Sequence, residues 1–217
     1  MDFSVARHNM VENQVRTNRV TDARVLDALE AVPREAFVPE VFKSVAYLDG
    51  DIDVGGGRRM LEPMVFARLL QNAAIQPHEV VLDIACGTGY SAAVLSKLAS
   101  TVVALESDKA LAARATALLA EQGDDNVAVV EGPLSAGDKA HGPYDVIIIE
   151  GSVAEVPDAL AAQLADRGRL LAITKKSGSV GVASLTLRVG DTFSTRQLFD
   201  ASGTMLSDFA RKPGFVF

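Results

Sequence analysis

The sequence lacks most of the features that mark secreted, membrane and nucleic-acid-binding proteins. It has 1 cysteine, Cys86, so no internal disulfide can form. Lysine and arginine total 21 against 28 aspartates and glutamates, and the formal net charge of −7 disfavours binding through phosphate neutralisation. The longest apolar runs, such as residues 146–149, are too short to cross a bilayer, and residues 1–20 contain no apolar signal core. We therefore expect a cytoplasmic protein without a membrane or nucleic-acid partner.

Common catalytic motifs are missing as well. Neither a G-x-S-x-G elbow nor a G-x-x-x-x-G-K-[ST] phosphate loop occurs, which disfavours the commonest hydrolases and nucleotide-hydrolysing enzymes. His8, His78 and His141 lack metal-ligand spacing, so we expect no metal site. Cys86 has no histidine near it in sequence, and we interpret it as a small turn residue rather than a nucleophile. What remains is a chain of 217 residues that is 48% hydrophobic, enough for one domain with a proper core.

The first third of the chain has the pattern of a helical segment interrupted by a loop. Apolar residues at helical spacing follow Thr21 and Asp22, either of which is available as an N-cap, and the run ends at Pro33. A second helix is predicted to begin at Pro63. Between these helices, residues 49–60 contain three consecutive glycines followed by two arginines, which predicts an irregular loop that contacts substrate.

After this segment, strands alternate with helices, which predicts a parallel, doubly wound sheet. The predicted strands are residues 80–84, 101–105, 126–130, 144–149 and 169–173, and the predicted helices are residues 91–98, 109–122 and 157–164. Residues 183–189 and 193–199 flank a Gly-Asp turn and predict an antiparallel C-terminal hairpin, and residues 215–217 are expected to dock as an edge strand. We therefore predict an α/β fold with an N-terminal helical segment over residues 1–75 and a Rossmann-like domain over residues 76–217.

The turn after the first strand of this sheet has the composition of a ligand-binding turn. It reads Asp-Ile-Ala-Cys-Gly-Thr-Gly-Tyr, and its two glycines, Gly87 and Gly89, let a ligand approach the backbone. Ligands of open α/β sheets bind beyond the carboxyl ends of the strands, where this turn lies. Glu106 ends the next strand, and a carboxylate there can accept hydrogen bonds from both hydroxyls of a ribose. Together these residues predict a nucleoside site.

Two classes of nucleoside cofactor are compatible with this turn. The run from Gly87 to Ala92 satisfies the G-x-G-x-x-A pattern of dinucleotide sites. Asp83, however, precedes the first glycine by four positions, where a carboxylate would crowd a pyrophosphate but could hold an ammonium group. The acidic turn therefore favours cationic S-adenosyl-L-methionine over an anionic dinucleotide.

Several segments resemble a known enzyme family. The stretch VLDIACGTGY, residues 81–90, resembles the first motif of class I S-adenosylmethionine-dependent methyltransferases, and Glu106 resembles their ribose-binding residue. More specifically, VLDALEAVPREAFVPE at residues 25–40 and GTGYSAAVL at residues 87–95 resemble protein-L-isoaspartate O-methyltransferases. Shorter matches follow in the same order, namely DNV, PYD, EVP and GRL at residues 125–127, 143–145, 155–157 and 168–170. The similarity runs over residues 10–173.

The resemblance implies a fold of the class I methyltransferase type, S-adenosyl-L-methionine as cofactor, and methyl esterification of isoaspartyl carboxylates as a step in protein repair. It implies isoaspartyl-containing proteins or peptides as partners, and we expect a monomer or a weak dimer. The residues expected around the cofactor lie at strand ends and in the turns after them: Asp83, Ala85, Gly87, Gly89, Tyr90, Glu106, Ser107, Gly132, Pro133, Leu134 and Glu150.

Three positions depart from the pattern of that family. Its loop before the helix at Pro63 carries a Thr-Ile-Ser stretch, and aligning the loop glycines places Leu61 at the hydroxyl position. Leucine cannot hydrogen-bond a substrate carboxylate. Pro133 stands where the family usually has an aspartate for the adenine amino group, and Glu150 stands where it has small or hydroxylated residues. We therefore expect an active-site loop that differs from the family's.

The departures leave the catalytic residues and the activity open. Arg58 or Arg59 is our candidate for a replacement anion-binding group, because a guanidinium can bond a carboxylate through two N–H groups. Alternatively, both arginines are solvated on the loop. The candidates are thus Arg58, Arg59 and Leu61. Two other functions also stay open: a methyltransferase for a different acceptor, and a non-catalytic protein that binds S-adenosylmethionine.

Overall fold

The computed structural model describes residues 1–176 and 179–209. The strands of a small hairpin are β1 (Ile52–Gly55) and β2 (Arg58–Met60). The strands of the main sheet are β3 (Val80–Ile84), β4 (Thr101–Glu106), β5 (Val127–Glu131), β6 (Tyr144–Val153), β7 (Leu164–Thr174), β8 (Val182–Val189) and β9 (Thr192–Asp200). The α-helices of the described residues are α1 (Phe3–Met10), α2 (Ala23–Ala31), α3 (Pro63–Ala73), α4 (Tyr90–Ser96), α5 (Lys109–Gln122) and α6 (Asp158–Ala161). The predicted docking of residues 215–217 lies outside the described part of the chain.

The main sheet has the order β5-β4-β3-β6-β7-β8-β9. Strands β3 to β7 pair in parallel, whereas β8 and β9 add an antiparallel edge. The predicted fold class, with its C-terminal hairpin, is therefore confirmed. The strand order reverses between β3 and β6, because the chain first builds outward through β4 and β5 and then returns to the other side of β3. Such a reversal opens a crevice at the carboxyl ends of the strands, where ligands of these folds bind.

Alternation along the central strands divides the core into two layers. Val81, Val102 and Val146 face a layer that also contains the buried residues of α2, α3 and α4. Leu82 and Val103, one position further along their strands, face a second layer. Because side chains in a strand point to opposite faces in turn, strands buried on both faces are apolar almost throughout. This explains why the interior strands were recognisable as continuous apolar runs.

The N-terminal segment contributes to the first of these layers. Met10 at the end of α1, Val15 and Phe37 belong to the same buried cluster as the strand residues of that face. Helix α1 was not predicted; the side chain of Asp2 caps it by accepting from the backbone N–H groups of Ser4 and Val5. No helix within the described ranges is both apolar enough and long enough for a transmembrane span. The predicted division of the chain after residue 75 stays a prediction.

The prediction of an irregular loop over residues 49–60 was wrong in part, because this stretch contains the hairpin of β1 and β2. Ile52, Val54 and Met60 are buried on one side of the hairpin and alternate with exposed neighbours. Gly55 at the end of β1 and the two turn glycines, Gly56 and Gly57, all have positive φ angles, which glycine adopts without a side-chain clash. The strands are too short for their alternation to be recognised beside so many glycines.

The predicted helix over residues 157–164 was too long. Only Asp158–Ala161 are α-helical, and β7 already begins at Leu164. Leu164 pairs with Tyr144 at the start of β6, and the backbone N–H of Tyr144 donates to the carbonyl oxygen of Gln163 at 2.9 Å. Pairing with a distant strand therefore ends this helix earlier than its local sequence indicates.

Candidate active site

Three residues of the turn after β3 have positive φ angles, a conformation that glycine adopts readily. Ala85, Gly87 and Gly89 have φ angles of 66°, 58° and 95°. For alanine such an angle is uncommon and strained, whereas for glycine it is not. A Cβ atom added to Gly89 would lie 3.2 Å from Cδ1 of Leu119, so the second glycine also lets α5 approach the turn closely. The turn therefore presents bare backbone at the carboxyl end of β3.

Glu106 lies at the carboxyl end of β4 and faces this turn, as the sequence predicts. Its carboxylate is fully buried. The Gly87 N–H donates to Oε2 at 3.0 Å, and the backbone N–H groups of Ser107 and Asp108 donate to Oε1 at 2.8 and 3.0 Å. Three backbone donors thus hold the carboxylate in one orientation. Glu106 and Ser107 define what we call the nucleoside end of the cleft.

Arg58 of β2 takes up the remaining bonding capacity of Glu106. Its Nε lies 3.1 Å from Oε1 and 3.2 Å from Oε2 of Glu106, and its Nη2 lies 3.0 Å from Oε1. The same Nη2 donates to Ser107 Oγ at 2.8 Å and lies 3.0 Å from Oδ2 of Asp208. The Arg58 side chain is only 5% exposed. Burial alone would lower the pKa of Arg58, but its bonds to Glu106 and Asp208 outweigh burial and raise it, so the guanidinium is charged.

The other end of the cleft contains two buried acids that lack such a partner. Asp83 of β3 accepts a hydrogen bond from Ser91 Oγ at 2.6 Å on Oδ2. Among the described residues, nothing bonds to its Oδ1 or to Oε1 of Glu150 in β6. Burial, and to a lesser extent the charge of Glu106, raise the pKa of Asp83 to about 7, against the opposing effect of the bond from Ser91. Burial and the nearby Asp83 also raise the pKa of Glu150 well above its usual range. Asp83 and Glu150 define the acidic end of the cleft.

Tyr90 and Arg34 lie beside the acidic end. The guanidinium carbon of Arg34 lies 4.8 Å from the centre of the Tyr90 ring, a cation–π contact. Arg34 is completely buried, and its Nε and Nη2 donate to the carbonyl oxygens of Ala46 and Leu61 at 2.8 and 2.7 Å. Its charge attracts Glu150 and partly opposes the rise in the pKa of that acid. Arg34 therefore ties the N-terminal segment and the loop before α3 to the acidic end.

The free space inside the cleft is small. The cavity has a volume of about 20 Å³, enough for about one water molecule, whereas pockets for small-molecule ligands usually measure about 300–1,000 Å³. It is lined by Val54, Arg58, Arg59, Met60, Leu61, Phe66, Ala85, Cys86, Gly87, Thr88, Tyr90, Ser91 and Glu150. The hairpin and the residues just after it therefore fill the space over the glycine turn.

These observations test whether the cleft fits S-adenosylmethionine. The unpartnered oxygens of Asp83 and Glu150 suit a cationic group, because a buried acid without a partner gains from a nearby positive charge. At the nucleoside end, however, Arg58 already bonds the carboxylate that was predicted to bind ribose. In this arrangement the residues do not fit the cofactor's nucleoside.

The remaining predicted cofactor residues lie further from the cavity. Gly132 follows β5, and its N–H donates to the carbonyl oxygen of Glu106 at 3.0 Å. Pro133 precedes a short 3-10 turn, and Leu134 is buried in the second core layer. Ser107 bonds Arg58 and also donates to Asp208 Oδ1 at 2.7 Å. None of these four residues lines the cavity formed by the described residues, and neither do Asp83, Gly89 and Glu106; of the predicted cofactor residues, Ala85, Gly87, Tyr90 and Glu150 do.

The three loop candidates have different positions. Arg58 points inward to Glu106, whereas Arg59 is exposed and its Nη2 donates to the carbonyl oxygen of Asp51 at 2.8 Å. Leu61 is 2% exposed and forms part of the cavity wall. Cys86 is buried in the turn, as expected for a small filler residue. The described residues contain no cluster of metal-ligating side chains.

Our sequence reasoning missed two charged residues of the site. Arg34 lies within the stretch that resembles the family, and a lone arginine among apolar residues was a signal that could have been used. Asp208 offered no such signal, because it lies 101 residues from its partner Ser107 in a segment without a recognisable pattern.

The chain is similar to protein-L-isoaspartate O-methyltransferases in sequence. The family model described as "Protein-L-isoaspartate(D-aspartate) O-methyltransferase (PCMT)" matches residues 6–192. A protein-L-isoaspartate O-methyltransferase of Methylorubrum extorquens (strain PA1) is 38% identical over 195 residues, which cover 90% of this chain and 85% of the relative. One of Roseiflexus castenholzii is 38% identical over 201 residues, covering 92% and 91%.

Solved structures support the fold. A protein-L-isoaspartate O-methyltransferase superimposes with a TM-score of 0.82 at 24% identity, covering 93% of this chain and 66% of that one. A Plasmodium falciparum protein of the same description, in complex with S-adenosyl-L-homocysteine, superimposes with a TM-score of 0.80 at 19% identity, covering 93% and 98%. With its glycine turn, its strand-end carboxylate and its match over residues 6–192, this chain belongs to the protein-L-isoaspartate(D-aspartate) O-methyltransferase family of S-adenosylmethionine-dependent methyltransferases.

Proposed function

We propose that this protein methylates the free carboxylate of isoaspartyl residues in other proteins, with S-adenosyl-L-methionine as the methyl donor. The observation that carries the proposal is the position of Glu106, a buried carboxylate at the end of β4 that faces the glycine turn through the Gly87 N–H. We further propose that it acts in the cytoplasm as a monomer or weak dimer, on damaged proteins or peptides and without nucleic acid. Glu106 and Asp83 are the cofactor contacts that we propose for an opened cleft.

The proposed reaction requires little acid–base chemistry from the residues of this protein. An isoaspartyl carboxylate is already ionised at neutral pH and is itself the nucleophile, so the protein has to position it and exclude water. Val54, Leu61 and Phe66 supply apolar wall to the cavity. We propose that Val54 and Phe66 keep water away from the acceptor oxygen, and that no residue acts as a general base.

An outer groove next to the cavity is our proposed position for the acceptor peptide. It has a volume of about 470 Å³ and is lined by Asp51, Arg59, Glu62, Lys175, Ser202, Gly203, Thr204 and Met205. Arg59 lines both this groove and the inner cavity. Because Arg59 is exposed and lines the groove, we assign recognition of the acceptor carboxylate to Arg59, with Lys175 as a second cation in the groove.

Radiolabelled methyl transfer tests this function. The substrate is a peptide with one isoaspartyl residue, and the matched control is the same peptide with a normal aspartyl residue; we expect label only in the first. Arg59→Ala should raise KM for the isoaspartyl peptide about tenfold, because a charged hydrogen bond is lost, while Arg196→Ala on the exposed face of β9 should not. Absence of label from the isoaspartyl peptide contradicts the proposed function. An unchanged KM in Arg59→Ala would show that Arg59 does not recognise the acceptor carboxylate.

Leu61→Ser tests the missing hydroxyl in the same assay. Serine at this wall position restores the group type that the resemblance leads us to expect there, and we predict faster methylation of the isoaspartyl peptide. The matched variant Leu61→Ala removes the same bulk without adding a hydroxyl. An equal rate in the two variants would show that the hydroxyl has no role at this position.

A non-catalytic protein is the second candidate, and the closed cleft is the observation that favours it. Arg58 bonds the predicted ribose carboxylate, and the cavity of about 20 Å³ is too small for a nucleoside. Calorimetry with S-adenosyl-L-homocysteine separates the candidates when it is combined with the transfer assay. Cofactor binding without isoaspartyl methylation indicates either a different acceptor or a non-catalytic protein that binds S-adenosylmethionine, whereas neither binding nor methylation indicates a non-catalytic role without this cofactor.

A further inference from the structure

The hairpin of β1 and β2 covers the glycine turn at close range. A Cβ atom added to Gly87 would lie 3.3 Å from Cγ2 of Val54 and 3.7 Å from Cβ of Arg58. At the hairpin tip, a Cβ atom added to Gly56 would lie 2.9 Å from Oδ2 of Asp108, the N-cap residue of α5. The hairpin thus touches both structural elements between which a nucleoside would have to enter.

Arg58 fixes the hairpin to this position through residues from two distant parts of the chain. Glu106 is the last residue of β4 and Ser107 follows it, whereas Asp208 belongs to the 3-10 turn Ser207–Phe209. Arg58 Nη2 lies within 3.0 Å of an oxygen in each of the two acids. Ser107 joins the two sides, since its hydroxyl donates to Asp208 and accepts from Arg58. We call this group of four residues the Arg58 clamp.

The clamp and a ribose require the same oxygen atoms. The N–H groups of Gly87, Ser107 and Asp108 already donate to Glu106, and Arg58 bonds both of its carboxylate oxygens. A ribose offers two neutral hydroxyl donors in place of a guanidinium, so exchange keeps hydrogen bonds to the carboxylate but loses the attraction between opposite charges. If Arg58 stayed buried under the hairpin after losing Glu106, it would be a buried cation without its main partner, which is costly. The closed arrangement is therefore favoured over simple exchange.

We infer that Arg58 is a built-in competitor of the cofactor's nucleoside, so that cofactor binding requires the hairpin to leave the glycine turn. This inference rests on the proposed function, because competition presupposes a nucleoside that binds here. In this protein the affinity for cofactor is then set by the stability of the Arg58 clamp as well as by the contacts of the bound molecule. Weakening the clamp increases the fraction of molecules with an open cleft and lowers the apparent dissociation constant in proportion.

Two variants weaken the clamp while a cation remains beside Glu106. Arg58→Lys keeps the charge but loses the planar fork that bonds both oxygens. Asp208→Asn removes the second acid without touching Glu106, and it keeps the side-chain shape. The matched controls are Arg196→Lys and Asp191→Asn, which make the same changes at exposed positions of β9 and of the turn before it. Circular dichroism verifies that each variant is folded.

The binding measurement is calorimetry with S-adenosyl-L-homocysteine. We expect the affinity to rise about tenfold in Arg58→Lys and about threefold in Asp208→Asn, and to stay unchanged in both controls. Hydrogen exchange without any ligand provides a second readout: the amides of residues 52–60 should exchange faster in the two clamp variants than in the wild type. Equal affinity in all proteins, or equal exchange of these amides, overturns the inference.

A failure of the competitor role of Arg58 can be distinguished from a failure of the proposed function. If all proteins bind S-adenosyl-L-homocysteine equally and the wild type methylates the isoaspartyl peptide, the competitor role of Arg58 is wrong and the proposed function stands. If no protein binds the ligand and none transfers a methyl group, both the proposed function and the competitor role are overturned, even when the exchange of residues 52–60 accelerates.

Discussion

The two ends of the cleft differ in how their buried carboxylates are compensated. At the nucleoside end, Glu106 receives three backbone N–H groups and the guanidinium of Arg58. At the acidic end, Asp83 has one bond from Ser91, and Oδ1 of Asp83 and Oε1 of Glu150 have no partner among the described residues. These acids lie at the ends of adjacent strands and are all buried. The carboxylates at the two ends therefore differ because their bonding partners differ, and not because one of them is buried more deeply.

This difference has a consequence for each end. The Arg58–Glu106 pair stabilises the fold, whereas the carboxyl groups of Asp83 and Glu150 remain available to bind a proton or a cation. A buried carboxylate with a guanidinium partner keeps its charge and joins the elements that contribute to the pair. A buried carboxylate without one gains a proton more easily, as the raised pKa of Asp83 and of Glu150 indicates. Perturbed acids of the second kind concentrate at functional sites. We therefore expect the nucleoside end to respond most strongly in stability and the acidic end in its pH dependence.

The largest effect is expected from Arg58→Met, which makes the nucleoside end resemble the acidic end. Methionine keeps much of the side-chain volume but leaves Glu106 buried without its counter-charge. Breaking a buried ion pair from one side costs about 3–5 kcal/mol. We expect the free energy of unfolding to fall by this amount at pH 7, measured by urea denaturation followed by circular dichroism.

Arg59→Met is the matched control for that experiment, because the neighbouring arginine is exposed and, within residues 1–176 and 179–209, bonds only the carbonyl oxygen of Asp51. It should change the free energy of unfolding by no more than about 0.5 kcal/mol. If Arg58→Met loses less than about 1 kcal/mol, the pair contributes no more than a surface ion pair does. The different partners at the two ends of the cleft would then make no measurable difference to the free energy of unfolding.

The second prediction concerns pH and the acidic end. In the folded protein the pKa of Asp83 is raised from 3.8 to about 7, so the folded state binds this proton more tightly than the unfolded state. The contribution of Asp83 to stability is therefore greatest below pH 4 and is lost as the pH rises through 7. Between pH 8 and pH 5 we expect wild type to gain roughly 1–3 kcal/mol more than Asp83→Asn does.

Urea denaturation of both proteins at a series of pH values measures this difference. Asparagine has nearly the same shape and does not titrate. Because Asp83 also raises the pKa of Glu150, the difference between the two curves reports the loss of Asp83 together with its effect on Glu150. Asp145→Asn is a suitable control, since Asp145 is an acid at the start of β6 that accepts a hydrogen bond from the Val80 N–H. Parallel curves for wild type and Asp83→Asn between pH 5 and 8 would contradict a protonated Asp83.

Local sequence patterns predicted the parts of the fold that depend on local interactions. Helix α5 was predicted at its observed bounds, because Asp108 caps its start and Gly123 its end in the left-handed conformation. The position of Glu106 opposite the glycine turn also followed from the strand order alone. These features depend on residues a few positions apart or on the regular geometry of neighbouring parallel strands.

The Arg58 clamp could not be predicted in the same way. Arg58 lies 48 residues from Glu106, and no periodic pattern connects one charge to the other. The adjacent arginines differ in role because β2 directs alternate side chains to opposite faces, which becomes visible only once residues 58–60 are recognised as a strand. Since the loop was predicted to be irregular, Arg58 and Arg59 remained interchangeable candidates.

The smallest effect is expected from Asp208→Asn, which alters the clamp at its more accessible side. The Asp208 side chain is 22% exposed, compared with 0% for Glu106, so water and salt partly replace its attraction to Arg58. We expect a loss of about 0.5–1 kcal/mol in the free energy of unfolding at pH 7, with Asp191→Asn as the control for the change in net charge. The loss should shrink at high salt, whereas that of Arg58→Met should not. A loss as large as that of Arg58→Met would instead mean that Asp208 is the main partner of Arg58 and that Glu106 is held mainly by its backbone donors.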